Sequence, residues 1–225
     1  MAIENRDQGG SRNQQFRAVL WDIDGTLLLS ESMHFRALRH AAGTEGVFVP
    51  DDFHHEIIGR SARVVYETAR DRFGLSMSFD QWRHLKYGYY TAHAEEIEVR
   101  PGALEAWRMF AELGLRQAVV SNSDRIVVNA NIRVLGIEQP GFISVSMNDV
   151  LNGKPHPEPY QRGATLLGFE PHQCLAIEDS PTGARAALAA GTRLIAWPED
   201  KMLEFPPEIE PIDDLESEIR QLFQG

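Results

Sequence analysis

The sequence predicts an α/β protein with a mainly parallel sheet covered by helices on both faces, plus a small all-helical domain inserted after the first strand. From residue 96 onward, short apolar runs alternate with helical patterns, which is typical of parallel strands joined by helices. Residues 30–95 contain helical patterns and no convincing strand. We therefore expect an α/β core formed by residues 16–29 and 96–225, and a helical cap at residues 30–95.

The predicted elements are separated by clear start and stop signals. In the cap, glycines at 43 and 74 are expected to end helices, and Ser78 is expected to begin one. The strands of the core are expected at residues 16–21, 116–121, 142–146, 173–178 and 193–197. The helices of the core are expected at residues 103–113, 124–135, 157–167, 181–190 and 214–223. This order indicates a Rossmann-like sheet, in which functional groups collect at the carboxyl ends of the strands.

Composition limits the partners of the chain. A formal net charge of −11 over 225 residues disfavours nucleic acid or an anionic membrane as the main partner. We find no signal peptide and no apolar run of transmembrane length, and the single cysteine, Cys174, excludes a disulfide framework. The polar residues 1–15 are expected to form a disordered tail. We expect a cytoplasmic protein, a monomer or weak homodimer, that binds a small molecule.

Two carboxylates follow the first predicted strand. Asp22 and Asp24 are two residues apart, so their side chains would share a face where that strand ends. Close carboxylates repel each other unless they share a proton or a cation. Mg²⁺ prefers oxygen ligands of this kind, and carboxylates also serve as nucleophiles in phosphoryl transfer. An isolated acidic pair is more often a solvated turn, so the rest of the chain must decide.

Further polar side chains follow other predicted strands. They are Ser121, Asn122 and Ser123 after one strand, Lys154 in a later loop, and Glu178 and Asp179 after another strand. At one edge of a parallel sheet, these groups and the acidic pair would supply a nucleophile, a proton shuttle, metal ligands and donors to phosphate oxygens. Together they favour phosphoryl-transfer chemistry over a structural role.

In this order, Asp22-Ile23-Asp24-Gly25-Thr26, Ser121, Lys154 and Glu178-Asp179 resemble the four motifs of the haloacid dehalogenase superfamily of phosphotransferases. The resemblance covers nearly all of the chain from residue 16 onward. The helical insert directly after the first motif is similar to the branch that contains phosphoglycolate phosphatase, sugar-phosphate phosphatases and β-phosphoglucomutase.

The resemblance implies a role for each motif residue. Asp22 would attack the phosphorus and form an aspartyl-phosphate, and Asp24 would protonate the leaving oxygen and later activate water. An acid at position 24 favours phosphate chemistry over cleavage of a carbon–halogen bond. The Mg²⁺ ligands would be Asp22, the backbone carbonyl of Asp24, Asp179 and Glu178.

Other motif residues would bind the substrate. Ser121 and Lys154 would hold the oxygens of the transferring phosphoryl group, with Asn122 and Ser123 beside them. Thr26 fits a substrate contact or a support for its own loop, and the sequence leaves both open.

The predicted cap carries candidate specificity residues. Glu31 and His34 lie one turn apart on a helix and can face the site. The segment around His34 resembles one in β-phosphoglucomutase, and Lys86 falls where that mutase has a substrate-contacting lysine. Arg60 is a candidate, with Arg63, to replace the arginine that grips the mutase's second phosphate. For His34 and Lys86, an ordinary helix surface position is the alternative.

The departures from the mutase pattern favour simple hydrolysis. Asp124 stands where the mutase has a lysine, and a carboxylate there would repel a second phosphate. We therefore predict a Mg²⁺-dependent phosphatase that acts on a small phosphorylated metabolite, with a sugar-phosphate mutase as the alternative. A non-enzymatic receiver-like phosphoacceptor domain is disfavoured, because its lysine would follow the last acidic pair rather than precede it.

Overall fold

The protein, described here from a computed structural model covering residues 16–58 and 60–224, contains a five-stranded parallel sheet. The strands lie in the order β3-β2-β1-β4-β5. Their bounds are β1 (Ala18–Trp21), β2 (Arg116–Val120), β3 (Ile143–Val145), β4 (Cys174–Glu178) and β5 (Arg193–Ala196). Trp21, the last residue of β1, pairs with Val119 of β2 and Ile177 of β4, so the carboxyl ends of the three central strands are level. The predicted α/β fold class is confirmed, and the predicted tail at residues 1–15 lies outside the described residues.

Nine α-helices are present in the described part of the chain. They are α1 (Glu31–Gly43), α2 (Phe53–Ile57), α3 (Ala62–Phe73), α4 (Phe79–Ala92), α5 (Ala103–Glu112), α6 (Arg125–Leu135), α7 (Glu158–Leu167), α8 (Pro181–Ala190) and α9 (Leu215–Gln224). Gly74 ends α3 with a left-handed φ of 78°, and Ser78 begins α4 through a capping box with Gln81. None of the described helices is long and apolar enough to cross a bilayer.

The sheet is packed on both faces, as a parallel sheet requires. Val19 and Trp21 of β1 belong to one core cluster, which includes residues of α5, α6 and α9. Ala18 and Leu20 point to the opposite face, where they pack against residues of α7 and α8. Alternate side chains of this one buried strand therefore belong to the two apolar cores on opposite faces of the sheet.

The helices between β1 and α5 have an apolar core of their own. Phe35, Phe53 and Trp82 are among its buried members, and α1 packs against α4. Two backbone connections join this helical segment to the rest of the chain, and they are hydrogen-bonded to each other. The amide of Leu29 donates to the carbonyl of Glu98 at 2.9 Å, and the amide of Arg100 donates to the carbonyl of Leu27 at 3.0 Å. Within its described residues, the stretch from 31 to 92 contains no strand.

Candidate active site

The carboxyl ends of the central strands surround a cavity of about 70 Å³. Asp22 follows β1, Ser121 follows β2, and Asp179 follows β4, so all three come from the level end of the sheet. The opposite wall comes from the helical segment, including Glu31, His34, Arg60 and Lys86. The structure thus brings together the predicted residues of both regions; among the predicted side chains, Thr26 and Glu178 lie behind the cavity wall.

Lys154 connects two buried carboxylates. Its ammonium nitrogen lies 2.7 Å from Oδ1 of Asp22, 2.5 Å from Oε1 of Glu178 and 2.8 Å from the carbonyl oxygen of Val120. Tyr160 donates a further hydrogen bond of 2.6 Å to Glu178. Burial alone would lower the pKa of Lys154, but the two carboxylates outweigh it and raise that pKa above its usual value. Lys154 is therefore a permanent cation at neutral pH.

The carboxylates outnumber the cation that balances them. Oxygens of Asp22, Glu178 and Asp179 lie within 4.8 Å of one another. Burial first, and then the charges of Glu178 and Asp179, raise the pKa of Asp22 well above its usual value, although Lys154 opposes the shift. Oδ2 of Asp22 is buried and has no hydrogen-bond partner among the described residues. This orphaned oxygen and its two acidic neighbours form a donor set that suits a hard divalent cation.

Two glycines leave room for these carboxylates. A Cβ atom at Gly183 would lie 1.8 Å from Oε1 of Glu178, and one at Gly25 would lie 2.1 Å from Oδ2 of Asp179. Gly25 also has a φ of +85°, which disfavours other residues. Thr26 is fully buried and donates a hydrogen bond of 3.1 Å to Oδ1 of Asp179. Thr26 therefore positions an acidic side chain that follows β4, and it does not line the cavity.

Oδ1 of Asp24 accepts three hydrogen bonds. Ser30 Oγ lies at 2.8 Å, Nδ2 of Asn131 at 2.8 Å and Nε2 of His34 at 3.1 Å. Because the carboxylate can only accept, the proton of a neutral His34 belongs on Nε2. Nδ1 of His34 then faces Lys86, whose Nζ lies 3.4 Å away.

Oδ2 of Asp24 faces the loop after β2. Ser123 donates to it at 2.8 Å and Ser121 at 3.2 Å, and Ser121 Oγ also accepts the amide of Ser123 at 2.9 Å. Burial would raise the pKa of Asp24, but the charge of His34 and hydrogen bonds from His34, Ser30 and Ser123 lower it. Burial and the charge of Lys86 lower the pKa of His34 itself, so His34 is uncharged at neutral pH. At that pH the hydrogen bonds to Asp24, rather than the charge of His34, keep the pKa of Asp24 low. Asp24 is thus held as a carboxylate.

Asn122 and Lys86 have different surroundings. Asn122 brackets the backbone of Lys154, accepting its amide at 2.7 Å and donating to its carbonyl at 3.0 Å. Lys86 is buried beside the rings of Trp82 and Tyr87. Burial lowers the pKa of Lys86 to about 8. Asn122 therefore fixes the loop that carries Lys154. Lys86 presents a desolvated ammonium group to the cavity.

The positions of three other charged residues change the argument about a second phosphate. Arg60 lines the cavity, whereas the guanidinium of Arg63 lies 3.7 Å from the centre of the Phe79 ring. Asp124 does not line this cavity, because Tyr87 of α4 covers it and donates a hydrogen bond to its carboxylate. The expected repulsion of a second phosphate by Asp124 has no support from this geometry.

Sequence reasoning missed several residues of the site. Ser30 and Asn131 contact Asp24, and Tyr160 contacts Glu178. For Asn131 a signal exists, since it is a polar residue on the apolar face of the predicted helix at 124–135. For the other two, the partner is visible only in the folded chain.

The fold and the site define an α/β enzyme whose acidic centre, balanced by one lysine, lies at the carboxyl edge of a parallel sheet. A family model described as haloacid dehalogenase-like hydrolase matches residues 16–191. The chain therefore belongs to the haloacid dehalogenase-like hydrolases, and the predicted superfamily is confirmed.

Individual relatives agree with this assignment. Hexitol phosphatase A of Escherichia coli is 29% identical over 183 residues, covering 80% of this chain and 82% of that protein. The crystal structure of CbbY from Rhodobacter sphaeroides in complex with phosphate has a TM-score of 0.81 and 25% identity, covering 89% and 95% of the two chains. β-Phosphoglucomutase from Clostridium difficile shares the fold, with a TM-score of 0.69, 23% identity, and coverage of 80% and 84%. The chain is a hydrolase, and its relatives named as phosphatases support the phosphomonoester hydrolase class.

Proposed function

We propose that this chain is a Mg²⁺-dependent phosphatase that hydrolyses a small phosphomonoester through an aspartyl-phosphate on Asp22. The observation that carries the proposal is the unpartnered Oδ2 of Asp22, which belongs to a cavity-lining carboxylate fixed at its other oxygen by Lys154. The relatives support a sugar phosphate or a similarly small phosphorylated metabolite, since one is named for hexitol phosphates and another for phosphorylated carbohydrates.

Asp22, Glu178 and Asp179 would hold the cation, with the backbone carbonyl of Asp24 as a further ligand. When bound, Mg²⁺ would offset the repulsion between the anionic nucleophile and the phosphate and would orient both. The protein side chains supply the remaining steps.

In the first step, a carboxylate oxygen of Asp22 attacks phosphorus as the bond to the leaving oxygen breaks. Asp24, which is a carboxylate in the free site, must first take up a proton, and it gives this proton to the leaving oxygen. In the second step, Asp24 takes a proton from water, which attacks the aspartyl-phosphate and frees Asp22 and inorganic phosphate. Lys154 and Ser121 stabilise the charge on the phosphoryl oxygens. The donors around Asp24 favour its carboxylate form, which is the form that activates water.

The helical segment at residues 30–95 acts as the cap that selects the substrate. Glu31, His34, Arg60 and Lys86 face the cavity from this side. A cavity of about 70 Å³ lies between this segment and the core, and we expect the segment to move away from the core when a substrate enters.

The test is release of inorganic phosphate from 4-nitrophenyl phosphate, followed by a panel of 2-phosphoglycolate, hexose 6-phosphates, nucleotides and β-glucose 1-phosphate. Wild-type protein should be active only with Mg²⁺, and Asp22→Asn should abolish turnover. Asp213→Asn, which alters an exposed carboxylate paired with Lys201, serves as the matched control. Turnover by Asp22→Asn, or turnover that a chelator leaves unchanged, would contradict the mechanism.

A second candidate, a sugar-phosphate mutase, is favoured by two contacts. His34 lies 3.1 Å from Asp24 and Lys86 lies 3.4 Å from His34, which matches the pair that suggested the mutase in the sequence. Conversion of β-glucose 1-phosphate to glucose 6-phosphate that is faster than phosphate release would select this alternative.

A further inference from the structure

A buried asparagine joins Asp24 to the helical segment. Asn131 lies in the middle of α6 and is fully buried. Its Nδ2 donates to Oδ1 of Asp24 at 2.8 Å, and its Oδ1 accepts a hydrogen bond of 2.8 Å from the hydroxyl of Tyr90 on α4. The three side chains form a continuous chain of hydrogen bonds from the helical segment to the candidate acid–base.

The chemistry of the two partners fixes the orientation of the amide. A carboxylate has no proton to donate, so the NH₂ group must face Asp24 and the carbonyl oxygen must face Tyr90. Burial first, and then the charge of Asp24, raise the pKa of Tyr90 well above its usual value, so its hydroxyl keeps the proton that it donates. While Asp24 is a carboxylate, neither end of this chain of hydrogen bonds can reverse.

Tyr90 also supports a second partner of Asp24. Its ring lies against the imidazole of His34, with 4.6 Å between ring centres. Two of the three donors to Oδ1 of Asp24, His34 and Asn131, are therefore held by one fully buried tyrosine. Removing the hydroxyl of Tyr90 would release Asn131 while leaving the ring in place.

We propose that Asn131 is a positioning residue for Asp24 and that Tyr90 of α4 holds the side chain of Asn131 in place. The position of the helical segment against the core therefore determines the orientation of the Asp24 carboxylate. The inference rests on the proposed function, in which Asp24 transfers protons. The side chain of Asn131 does not line the cavity, so it acts through Asp24 and not through the substrate.

The experiment compares kcat/KM for two leaving groups. With a covalent intermediate, kcat/KM reports the steps up to departure of the leaving group. An alkyl oxygen needs the proton from Asp24, whereas the far less basic 4-nitrophenolate does not. The variants are Asn131→Leu, which keeps the branched shape and the number of side-chain heavy atoms but removes the amide, and Tyr90→Phe. The control is Tyr66→Phe, which removes another buried tyrosine hydroxyl, one bonded to the carbonyl of Met77 at 2.6 Å.

For Asn131→Leu we expect kcat/KM to fall by about tenfold or more with the best alkyl phosphate of the panel, and by less than about threefold with 4-nitrophenyl phosphate. Tyr90→Phe should shift the ratio in the same direction by a smaller factor, and Tyr66→Phe should leave it unchanged. In an Asp24→Ala background, Asn131→Leu should cause no further loss, because its effect passes through Asp24.

Equal losses for both leaving groups, or additive losses in the Asp24→Ala background, would overturn the inference and leave the proposed function standing. If wild-type protein released no phosphate from any ester, both would fail. Tyr90→Phe decides the matter if Asn131→Leu does not fold.

Discussion

The ammonium nitrogen of Lys154 lies 2.7 Å from Oδ1 of Asp22, and both side chains are more than 90% buried. The same nitrogen lies 2.5 Å from Oε1 of Glu178. Lys154 therefore supplies the positive charge that two buried carboxyl groups share.

Lys154→Met should destabilise the metal-free protein by about 3–5 kcal/mol, because it leaves Asp22 and Glu178 as uncompensated buried charges. Saturating Mg²⁺ should recover part of this loss, and kcat should fall by about 100-fold or more. Urea unfolding with and without Mg²⁺ measures the first effect, and phosphate release measures the second. Lys201→Met, which breaks an exposed pair with Asp213, should change little. Wild-type stability in metal-free Lys154→Met would contradict this account.

Gly183→Ala should weaken Mg²⁺ binding by about tenfold or more, because its Cβ would overlap the carboxylate of Glu178. The dissociation constant measured by titration calorimetry tests this without any need for turnover. Gly88→Ala in α4 is the matched control, since a Cβ there meets nothing within 4 Å. It should leave Mg²⁺ affinity unchanged and stabilise the protein by about 0.5–1 kcal/mol. Equal Mg²⁺ affinity of Gly183→Ala and Gly88→Ala would refute the assignment of Glu178.

The strands and the polar residues that follow them were predictable because both follow from local sequence. A run such as 173–178 is apolar enough to be a buried strand, and Glu178 and Asp179 stand where it ends. The parallel topology then places such ends on one edge. Local pattern also located the end of α3, through Gly74, and the beginning of α4, through Ser78.

The surroundings of Asp24 were predictable only in part, because three of its five hydrogen-bond partners, Ser121, Ser123 and Asn131, come from distant parts of the chain. Asn131 is separated from it by 107 positions, and their contact depends on how α6 packs against the sheet. The sequence also placed Asp124 near the substrate, since nothing local shows that Tyr87 covers it. Spacing thus identified the charged groups, whereas packing decides which of them meet.

Arg100 connects the segments around the loop that follows β1. It is buried, and its guanidinium donates to the carbonyls of Gly25 at 2.8 Å, Trp197 at 2.7 Å and Pro198 at 3.0 Å. Arg100→Met should destabilise the protein by about 3 kcal/mol, because buried carbonyls would lose charged donors. Urea unfolding checks this, with Arg220→Met in the exposed pair with Glu216 as the control of small effect. Equal losses in the two variants would refute the role of Arg100.

Lys86 predicts a specific dependence of stability on pH. Burial lowers its pKa from 10.5 to about 8, although the charges of Glu31, Asp24 and Asp124 oppose the shift. Between these two pH values the unfolded chain binds more protons than the folded protein, so this residue makes the free energy of unfolding rise with pH. At about 1.4 kcal/mol per pKa unit, the full rise is about 3 kcal/mol.

Lys86→Met should abolish that rise. The variant should be more stable than wild type at pH 7, and its advantage should shrink as the pH increases through the range from 8 to 10, because wild type then loses its buried charge. Urea unfolding of both proteins at each pH measures the difference, and titrations common to both cancel. Parallel stability curves would show that Lys86 is not a buried cation in solution. A stable variant with a raised KM would instead show why the charge is kept: Lys86 lines the cavity, and its burial places an ammonium beside a phosphorylated substrate at a cost to folding.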